Sequence, residues 1–536
     1  GLWWYFNVTF LNFEKDFAEQ KSIKNLTLNE YTFSDRNQNG KLDIFEDDRK
    51  SIEERVEDLI IRMTLEEKIG QLFILPMSPG LGERHFSELL NLVQQYSLGG
   101  IIPKQVDPES QVNWLNRLQE CSKYPLLVTC DAEWGLGMRM PNTVSFPRNL
   151  TLGAIEDDEL IKKVGRFIGQ HCKAVGAHLN FAPVADINNN PENPIIHRRS
   201  FGQDPEKVGK KVHAFIQGMN ESGTLACAKH FPGHGDVTVD SHKDLPSISH
   251  SFERLEGVEL SPFKKVIDQV PAIMTGHLLV STLDERFPAS LSKKIVKELL
   301  KEEWGYRGLI ITDALNMKAL TLYYPKEEIA RVAFLAGHDL LLYGAHLQED
   351  VEEILRTHIP KSIASFKEAV ASGAVSIERL DESVLKILKV KERLGLFEKR
   401  AVAPDQFSME KLHDKSVYEL KKQLFLKALA LVCSQEGSLP ISLDKQYAFL
   451  KIGSEGGTVF FDALKKKGVQ IKALTMPLAE DELLDKFEGN KNYVLEFINE
   501  AKKLISNENY IGFSITAGHL TRIKEINYVL EIKFKK

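Results

Sequence analysis

Residues 225–235 read LACAKHFPGHG: an apolar run, Leu225 to Ala228, with no polar alternation, then a Lys–His pair, a proline and glycines. A strand exposed on one face alternates apolar and polar residues. This one does not, so it reads as a strand covered on both faces, as in a parallel sheet beneath helices. Its polar residues come last. Seven further stretches share the form: QLFILPM (71–77), GGIIP (99–103), PLLVTCDAE (125–133), AHLNFAPVADI (177–187), AIMTGHLLV (272–280), GLIITDAL (308–315) and HDLLLYG (338–344). Amphipathic segments separate them. Eight such strands are the number that closes a (β/α)8 barrel of the TIM type, whose strand C-terminal ends converge on one face. Asp131, Asp186, Lys229, His230, His277 and Asp313 all fall at or just after those ends. Any one of them could be a turn former; this holds most for Asp186 and His277. Six together point to chemistry on that face.

The barrel is predicted over 51–397. It opens with SIEERVEDLIIRM, where Val56, Leu59, Ile60 and Met63 recur at helical spacing, and Thr64 with Glu67 forms a capping-box pattern for the next helix. It closes with SIERLDESVLKILKVKERLGLF (376–397), where Ile377, Leu380, Val384, Ile387 and Leu388 form one stripe. AVAPDQF (401–407) reads as a linker. Residues 408–536 read as a smaller α/β layered domain: a helix over about 408–432, strands at YAFLKIG and VQIKALTMP, a short helix through Ala463 and Leu464, and a third strand at YIGFSITAG (510–518). GSEGG (453–457) lacks the spacing of a phosphate-cradling loop and reads as a strand-to-helix turn. The domain ends abruptly at KFKK, which predicts that it is incomplete. The chain starts at Gly1, which reads as a processed or trimmed end, and a cell-envelope, periplasmic or secreted location is expected before a cytoplasmic one.

Of the 536 residues, 27% are charged, the formal net charge is −6, and no Lys/Arg run stands out. A nucleic-acid or anionic-membrane partner is therefore not expected, and a neutral or mildly charged substrate is. No apolar stretch approaches the roughly 18 residues of a spanning helix. The five cysteines are scattered without a CxxC, so neither a disulfide framework nor a thiolate zinc site is expected; Cys130 and Cys227 read as core residues.

Past the eight-strand pattern, 229–242 reads KHFPGHGDVTVDSH, with three histidines and two aspartates in one loop. A metal site is one reading, because His230 and His234 lie four apart. Pro232 and Gly233 break any helix that would align them, and the glutamate of a zinc helix is missing. An acid–base device is the other reading. In Asp240-Ser241-His242 a carboxylate can orient an imidazole and favour its protonated form. The partner it needs is a nucleophile, and Asp313 at the end of GLIITD stands at the catalytic end of a strand.

KHFPGHGDVTVDSH, with RSFG (199–202), FAPVADIN (181–188) and the aspartate of TDALNM, resembles glycoside hydrolase family 3, and within it the β-N-acetylglucosaminidase branch. The likeness spans about 50–397. It implies a retaining exo-β-N-acetylglucosaminidase acting on cell-wall muropeptides or chitin-type oligosaccharides, with no cofactor for catalysis. Asp313 would be the nucleophile, His242 the acid/base and Asp240 its orienting partner. Asp131, Arg199, Lys229 and His230 would grip the terminal sugar. One carboxylate of the general two-carboxylate scheme is thus replaced by a His–Asp dyad. Where the branch continues its aspartate as D-[QE]-E-G-G-R, this chain keeps Asp131 and Glu133 but places Trp134 at a glycine, a ring expected to stack on a sugar or narrow the site. Alternatives are a family-3 β-glucosidase or β-xylosidase, a β-N-acetylglucosaminide phosphorylase, and a non-catalytic sugar-binding protein.

Residues 1–50 read as a polar N-terminal extension. Within it DRNQNGKLDIFE (35–46) matches the EF-hand loop pattern, with Asp35, Asn37, Asn39, Asp43 and Glu46 as calcium ligands and Gly40 at the bend. The opposing reading is a polar turn, since LTLNEYTFS before it does not look like a first EF-hand helix.

Overall fold

The computed structural model describes residues 24–428, apart from Asn29, Gln38, Gln105 and 345–350, and beyond them only 446–452, 466–468 and 470–476. The chain divides into two units, Gly1–Leu429 and Ala430–Lys536. In the first unit, helices begin where the sequence caps them. Ser51 caps Ile52–Ile61 and Thr64 caps Leu65–Gly70; each cap oxygen accepts the N–H three residues on, while Glu54 and Glu67 reach back to the cap N–H. Such a cap is worth ~1 kcal/mol. Val56, Leu59, Ile60 and Met63 are buried, as their spacing requires.

The eight apolar runs are all strands. In chain order they are β1 (Phe73–Met77), β2 (Gly100–Pro103), β3 (Leu127–Cys130), β4 (Leu179–Asn180), β5 (Leu225–Phe231), β6 (Ala272–Thr275), β7 (Leu309–Thr312) and β8 (Leu341–Leu342). Each pairs in parallel with its chain neighbour from β1 to β7. Leu341 and Leu342 pair with Phe73 and Ile74, and a bridge between Ile311 and Leu340 joins β7 to β8. The ring is closed, a (β/α)8 barrel. Strands β1, β3, β6, β7 and β8 are buried along their whole length, which is why none shows polar alternation.

The closing helix runs Ile377–Arg393 behind the cap Ser376, with Leu380, Val384, Ile387 and Leu388 buried. Ile377 does not belong to that stripe. It is the first helical residue, directly beside the cap, and is 42% exposed. The helix expected from 408 is two, Met409–Leu412 and Lys415–Lys427, because Asp414 caps a new start. Val417, Leu420 and Leu424 are buried in the first unit's core, so the chain divides later than 408. Cys130 and Cys227 are buried core residues. Among the described residues no helix is long and apolar enough to cross a membrane.

The N-terminal extension is more regular than expected. Lys24–Leu28 and Tyr31–Asp35 form an antiparallel hairpin around Glu30, whose φ is +68°. A strand therefore leads into the 35–46 loop, not a helix. Asp35 accepts the N–H groups of Asn39 and Gly40, Glu46 those of Arg36 and Asp43, and Asp43 Oδ2 the side-chain amides of Asn37 and Asn39 at 2.6 Å each. Asn37, Asn39 and Asp43 thus close on one another, while Asp35 and Glu46 hold the loop's backbone. Arg62 pairs with Asp43 at 3.0 Å, and Arg55 donates to the Phe45 carbonyl at 3.4 Å while pairing with Glu392 in the barrel's last helix and Glu398 just beyond it, which ties the segment there.

In the second unit Gln446–Ile452 and Gln470–Met476 pair in parallel, Gln446 opposite Gln470 and Ile452 opposite Met476. The turn at 453–457, the helix at Ala463 and Leu464, and the strand at 510–518 lie outside the described residues.

Candidate active site

The C-terminal ends of the strands enclose a cavity of about 320 Å³ whose wall includes Asp131, Glu133, Arg199, Lys229, His230, His234, Asp240, His242 and Asp313. All seven residues expected to bind or react therefore meet in one place. Asp131 follows β3, Asp313 follows β7, and Lys229 and His230 lie near the C-terminal end of β5. Arg199 comes from the 3-10 turn His197–Arg199 after β4. Asp240 and His242 come from the loop after β5.

That loop is laid flat by two glycines. Gly233 has φ +132°, and a Cβ there would stand 2.7 Å from Glu259 Cβ; a Cβ on Gly235 would stand 1.7 Å from the Ile187 carbonyl. The loop is then pinned from both sides. Asn193 Nδ2 donates to the His234 and Gly235 carbonyls at 2.8 and 2.9 Å, and His250 Nε2 meets Asp236 Oδ2 at 2.6 Å. At its far end Asp240 Oδ1 lies 2.8 Å from His242 Nδ1 and accepts the His242 backbone N–H, also at 2.8 Å.

The floor is an ion cluster. Lys229 Nζ lies 3.0 Å from Asp131 Oδ1 and 2.9 Å from Glu133 Oε1. Arg199 grips Glu133 with two nitrogens, Nη2 at 2.7 Å and Nε at 3.0 Å, and Arg139 Nη2 holds the second oxygen of Asp131 at 3.2 Å. Glu133 is wholly buried; burial pushes its carboxyl up, but Arg199 and Lys229 outweigh that and bring it down to about 2. Burial likewise disfavours the Lys229 ammonium, and Asp131 and Glu133 overcome it and raise its pKa. Every charge here is compensated, as a buried charge must be.

Asp313 Oδ1 accepts the N–H of Ala314 at 2.8 Å. Burial pushes this carboxyl up, yet His230, His277, the Ala314 N–H and Lys229 hold it well below the usual carboxylate range. It is a carboxylate at neutral pH. An ionised carboxylate thus shares a cavity with a carboxylate-oriented imidazole, which is an arrangement for nucleophilic attack with proton transfer to or from a leaving group.

The model described as "Glycosyl hydrolase family 3 N terminal domain" matches residues 64–390. The chain belongs to glycoside hydrolase family 3. It is 31% identical over 389 residues to "Beta-hexosaminidase A" of Pseudoalteromonas piscicida, a match covering 68% of this chain and 64% of that protein, so it spans just under two thirds of that relative's length. To the "Beta-N-acetylglucosaminidase/beta-glucosidase" of Cellulomonas fimi it is 25% identical over 401 residues, covering 73% of this chain and 68% of the other. A solved family 3 β-N-acetylglucosaminidase from Paenibacillus sp. str. FPU-7 superposes with a TM-score of 0.69 at 29% identity, covering 84% of this chain and 90% of that one.

In this family 3 site several residues carry more than the sequence reading assigned them. Glu133 is the hub of the ion cluster. Asp186, wholly buried, accepts the backbone N–H groups of His230 and His234 and meets His230 Nδ1 at 2.7 Å, so it orients the His230 ring from behind. His277 bridges Ser290 Oγ at 2.7 Å and the Ala314 carbonyl at 2.9 Å, fixing the turn that carries Asp313. His234 is 2% exposed, and neither ring nitrogen has a hydrogen-bond partner among the described residues; burial lowers its pKa to about 4, so it faces the cavity as a neutral imidazole. Trp134 departs from expectation. It is not in the cavity wall, and the Arg148 guanidinium covers its ring at 3.6 Å, so this ring does not narrow the cavity and one of its faces is taken by Arg148.

The metal reading of His230 and His234 finds no support in this geometry, since Asp186 engages His230 Nδ1 and the Arg199 guanidinium stands 3.4 Å from Nε2, the nitrogen left for a metal. Among the described residues only Asp236, His250 and Glu259 bring three ligand atoms within 4.8 Å of one another, and Arg254 already lies 2.9 Å from Glu259 and 3.8 Å from Asp236. Family 3 hydrolysis generally requires no cofactor.

Proposed function

We propose that this chain is a retaining exo-β-N-acetylglucosaminidase. The Asp240–His242 dyad beside ionised Asp313 is the observation that carries the reading. Asp313 attacks the anomeric carbon as His242 gives a proton to the departing oxygen, leaving a glycosyl ester on Asp313. His242 then takes a proton from water, which displaces the ester and restores the β configuration by a second inversion. With Nδ1 engaged by Asp240, Nε2 is the nitrogen that exchanges this proton. Lys229, Arg199, Asp131 and His230 hold the sugar hydroxyls. A cavity of about 320 Å³ lies at the small end of ligand pockets and suits one terminal sugar, hence exo action.

The substrate class in this reading is a terminal β-linked N-acetylglucosamine of a muropeptide or chitin oligosaccharide. Turnover of an aryl β-N-acetylglucosaminide well above the matching β-glucoside is expected, with release of free N-acetylglucosamine from a muropeptide disaccharide or chitobiose. Preference for the glucoside would overturn the sugar assignment; a sugar phosphate appearing when phosphate is added would replace water as acceptor. The same reading gives the 35–46 loop a structural calcium ion, held by Asp35, Asn37, Asn39, Asp43 and Glu46, that plays no part in the reaction.

A further inference from the structure

The opposite end of the barrel carries a second cavity, of about 860 Å³, between the helices Lys294–Glu303 and Ile377–Arg393. Lys386 in its wall donates to the Gly308 carbonyl at 3.4 Å and lies 3.2 Å from Asp339 Oδ2. Gly308 lies one residue before β7 and Asp339 two before β8, whereas Asp313 follows β7. The two cavities therefore lie at opposite ends of the same strand.

The charge of this second cavity is one-sided. Lys293, Lys297, Lys301, Arg307, Arg379 and Lys386 line it, against the carboxylates of Glu302 and Glu382. Buried Asp339 adds one negative charge behind the wall, and that single charge is divided between Lys386 and Lys301, the latter 3.9 Å away. The remaining pairs are long: Lys301 to Glu382 is 3.3 Å, Lys297 to Glu302 is 3.7 Å and Arg379 to Glu382 is 3.7 Å. Lys301 is nine-tenths buried; burial lowers its pKa, and Arg379 and Lys386 lower it further against the pull of Asp339 and Glu382. A cluster with such a surplus of positive charge is stabilised by an added anion. Ser376 also caps the helix Ile377–Arg393 at the cavity wall, so the positive end of that helix adds to the potential there.

We propose that this cavity binds a small phosphate-bearing anion. Arg379 donates to Ser383 Oγ and the His338 carbonyl, whereas Arg307, among the described residues, makes only a 3.4 Å bond to the Lys301 carbonyl. The Arg307 guanidinium and the lysine ammoniums around a concave wall match an anion with several oxygens, and the volume admits a phosphorylated small molecule as readily as inorganic phosphates. Binding here stabilises the barrel end without entering the reaction at Asp313.

Calorimetric titration of the full chain at about 0.15 M salt, with inorganic pyrophosphate and separately with ribose 5-phosphate, tests this. Saturable uptake at one site with a rise in melting temperature is expected for at least one probe, and which probe binds distinguishes an inorganic from an organic phosphate. In the K293E/K297E double variant affinity should fall at least about tenfold, the loss of one charge-assisted contact or more. The melting temperature of each ligand-free variant reports whether it folds, and K386Q serves if the double variant does not. No saturable uptake by the unmodified chain, or uptake unchanged in a folded variant, overturns the proposal. Uptake abolished by excess N-acetylglucosamine also overturns it, because that anion would then occupy the Asp313 cavity.

Discussion

Oδ1 of Asp240 lies 2.8 Å from both the ring Nδ1 and the backbone N–H of His242, two residues on. One carboxylate oxygen thus fixes the ring and the turn that carries it. If the imidazole transfers the proton in glycoside cleavage, H242A should lose about 10²–10⁴-fold on substrates with poor leaving groups. It should lose far less on activated aryl glycosides, whose leaving groups need no proton. Comparison of kcat/KM across a leaving-group series checks this, and equal losses throughout would make His242 structural. D240A should lower the rate on the same poor-leaving-group substrates, because the carboxylate that holds His242 Nδ1 at 2.8 Å, and so turns Nε2 toward the leaving oxygen, is gone.

Asp313 accepts the Ala314 N–H at 2.8 Å and is held in its ionised form by the charges and donors around it. D313A should abolish turnover, since of the remaining cavity carboxylates Asp131 and Glu133 are engaged by Lys229 and Asp240 by His242. Inactivation with a 2-fluoro sugar of matching specificity, followed by peptide mapping, should place the label on the peptide containing Asp313. A label elsewhere removes the assignment.

Calcium in the 35–46 loop predicts that a chelator lowers the melting temperature and leaves kcat unchanged. The loop's side chains already bond to one another, Asn37 and Asn39 both to Asp43 Oδ2, so those amides must turn for an ion to enter. Calorimetry with calcium on chelator-treated protein reads uptake directly. If no heat is seen and the melting temperature does not move, the segment is a polar turn held by Arg62 and Arg55.

The barrel was legible because its strands are short, apolar throughout and ended by reactive polar residues, a pattern that local sequence carries in full. The dyad was equally legible, since Asp240 and His242 are near neighbours in the chain. Glu133 was not. Its role comes from Lys229 and Arg199, which reach it from β5 and from the loop after β4, and such a non-local pairing leaves no mark on the residues beside it. Asp186 and His277 were hidden for the same reason: each acts through a partner supplied by another strand or loop, His230 and the Ala314 carbonyl. The hairpin of Lys24–Leu28 and Tyr31–Asp35 escaped although Leu26 and Leu28, then Tyr31 and Phe33, alternate with polar residues, because five-residue strands give only two apolar positions each. Trp134 misled in the opposite direction, because a sequence shows that an aromatic replaces a glycine but not that Arg148 will cover it.

Glu133 supplies the last prediction. Its carboxyl sits at about 2 against an ordinary value of 4.5, because Arg199 and Lys229 favour the charged form more than burial opposes it. A carboxyl depressed on folding contributes stability that is fully present above its unfolded value and is lost as pH falls toward the folded one. The window is therefore from about pH 4.5 down to about 2. The melting temperature of the unmodified chain should fall through that range. E133Q should fall less steeply, though not flatly, since Asp186 and Asp313 are also held low. At neutral pH the same variant leaves Arg199 and Lys229 without their shared buried counter-charge, which should cost about 3–5 kcal/mol in denaturant unfolding. Because those two cations are freed from their anchor, KM should rise more than kcat falls. An E133Q protein as stable as the parent, with the same acid slope and the same KM, would show that the cluster neither supports the barrel nor positions the sugar.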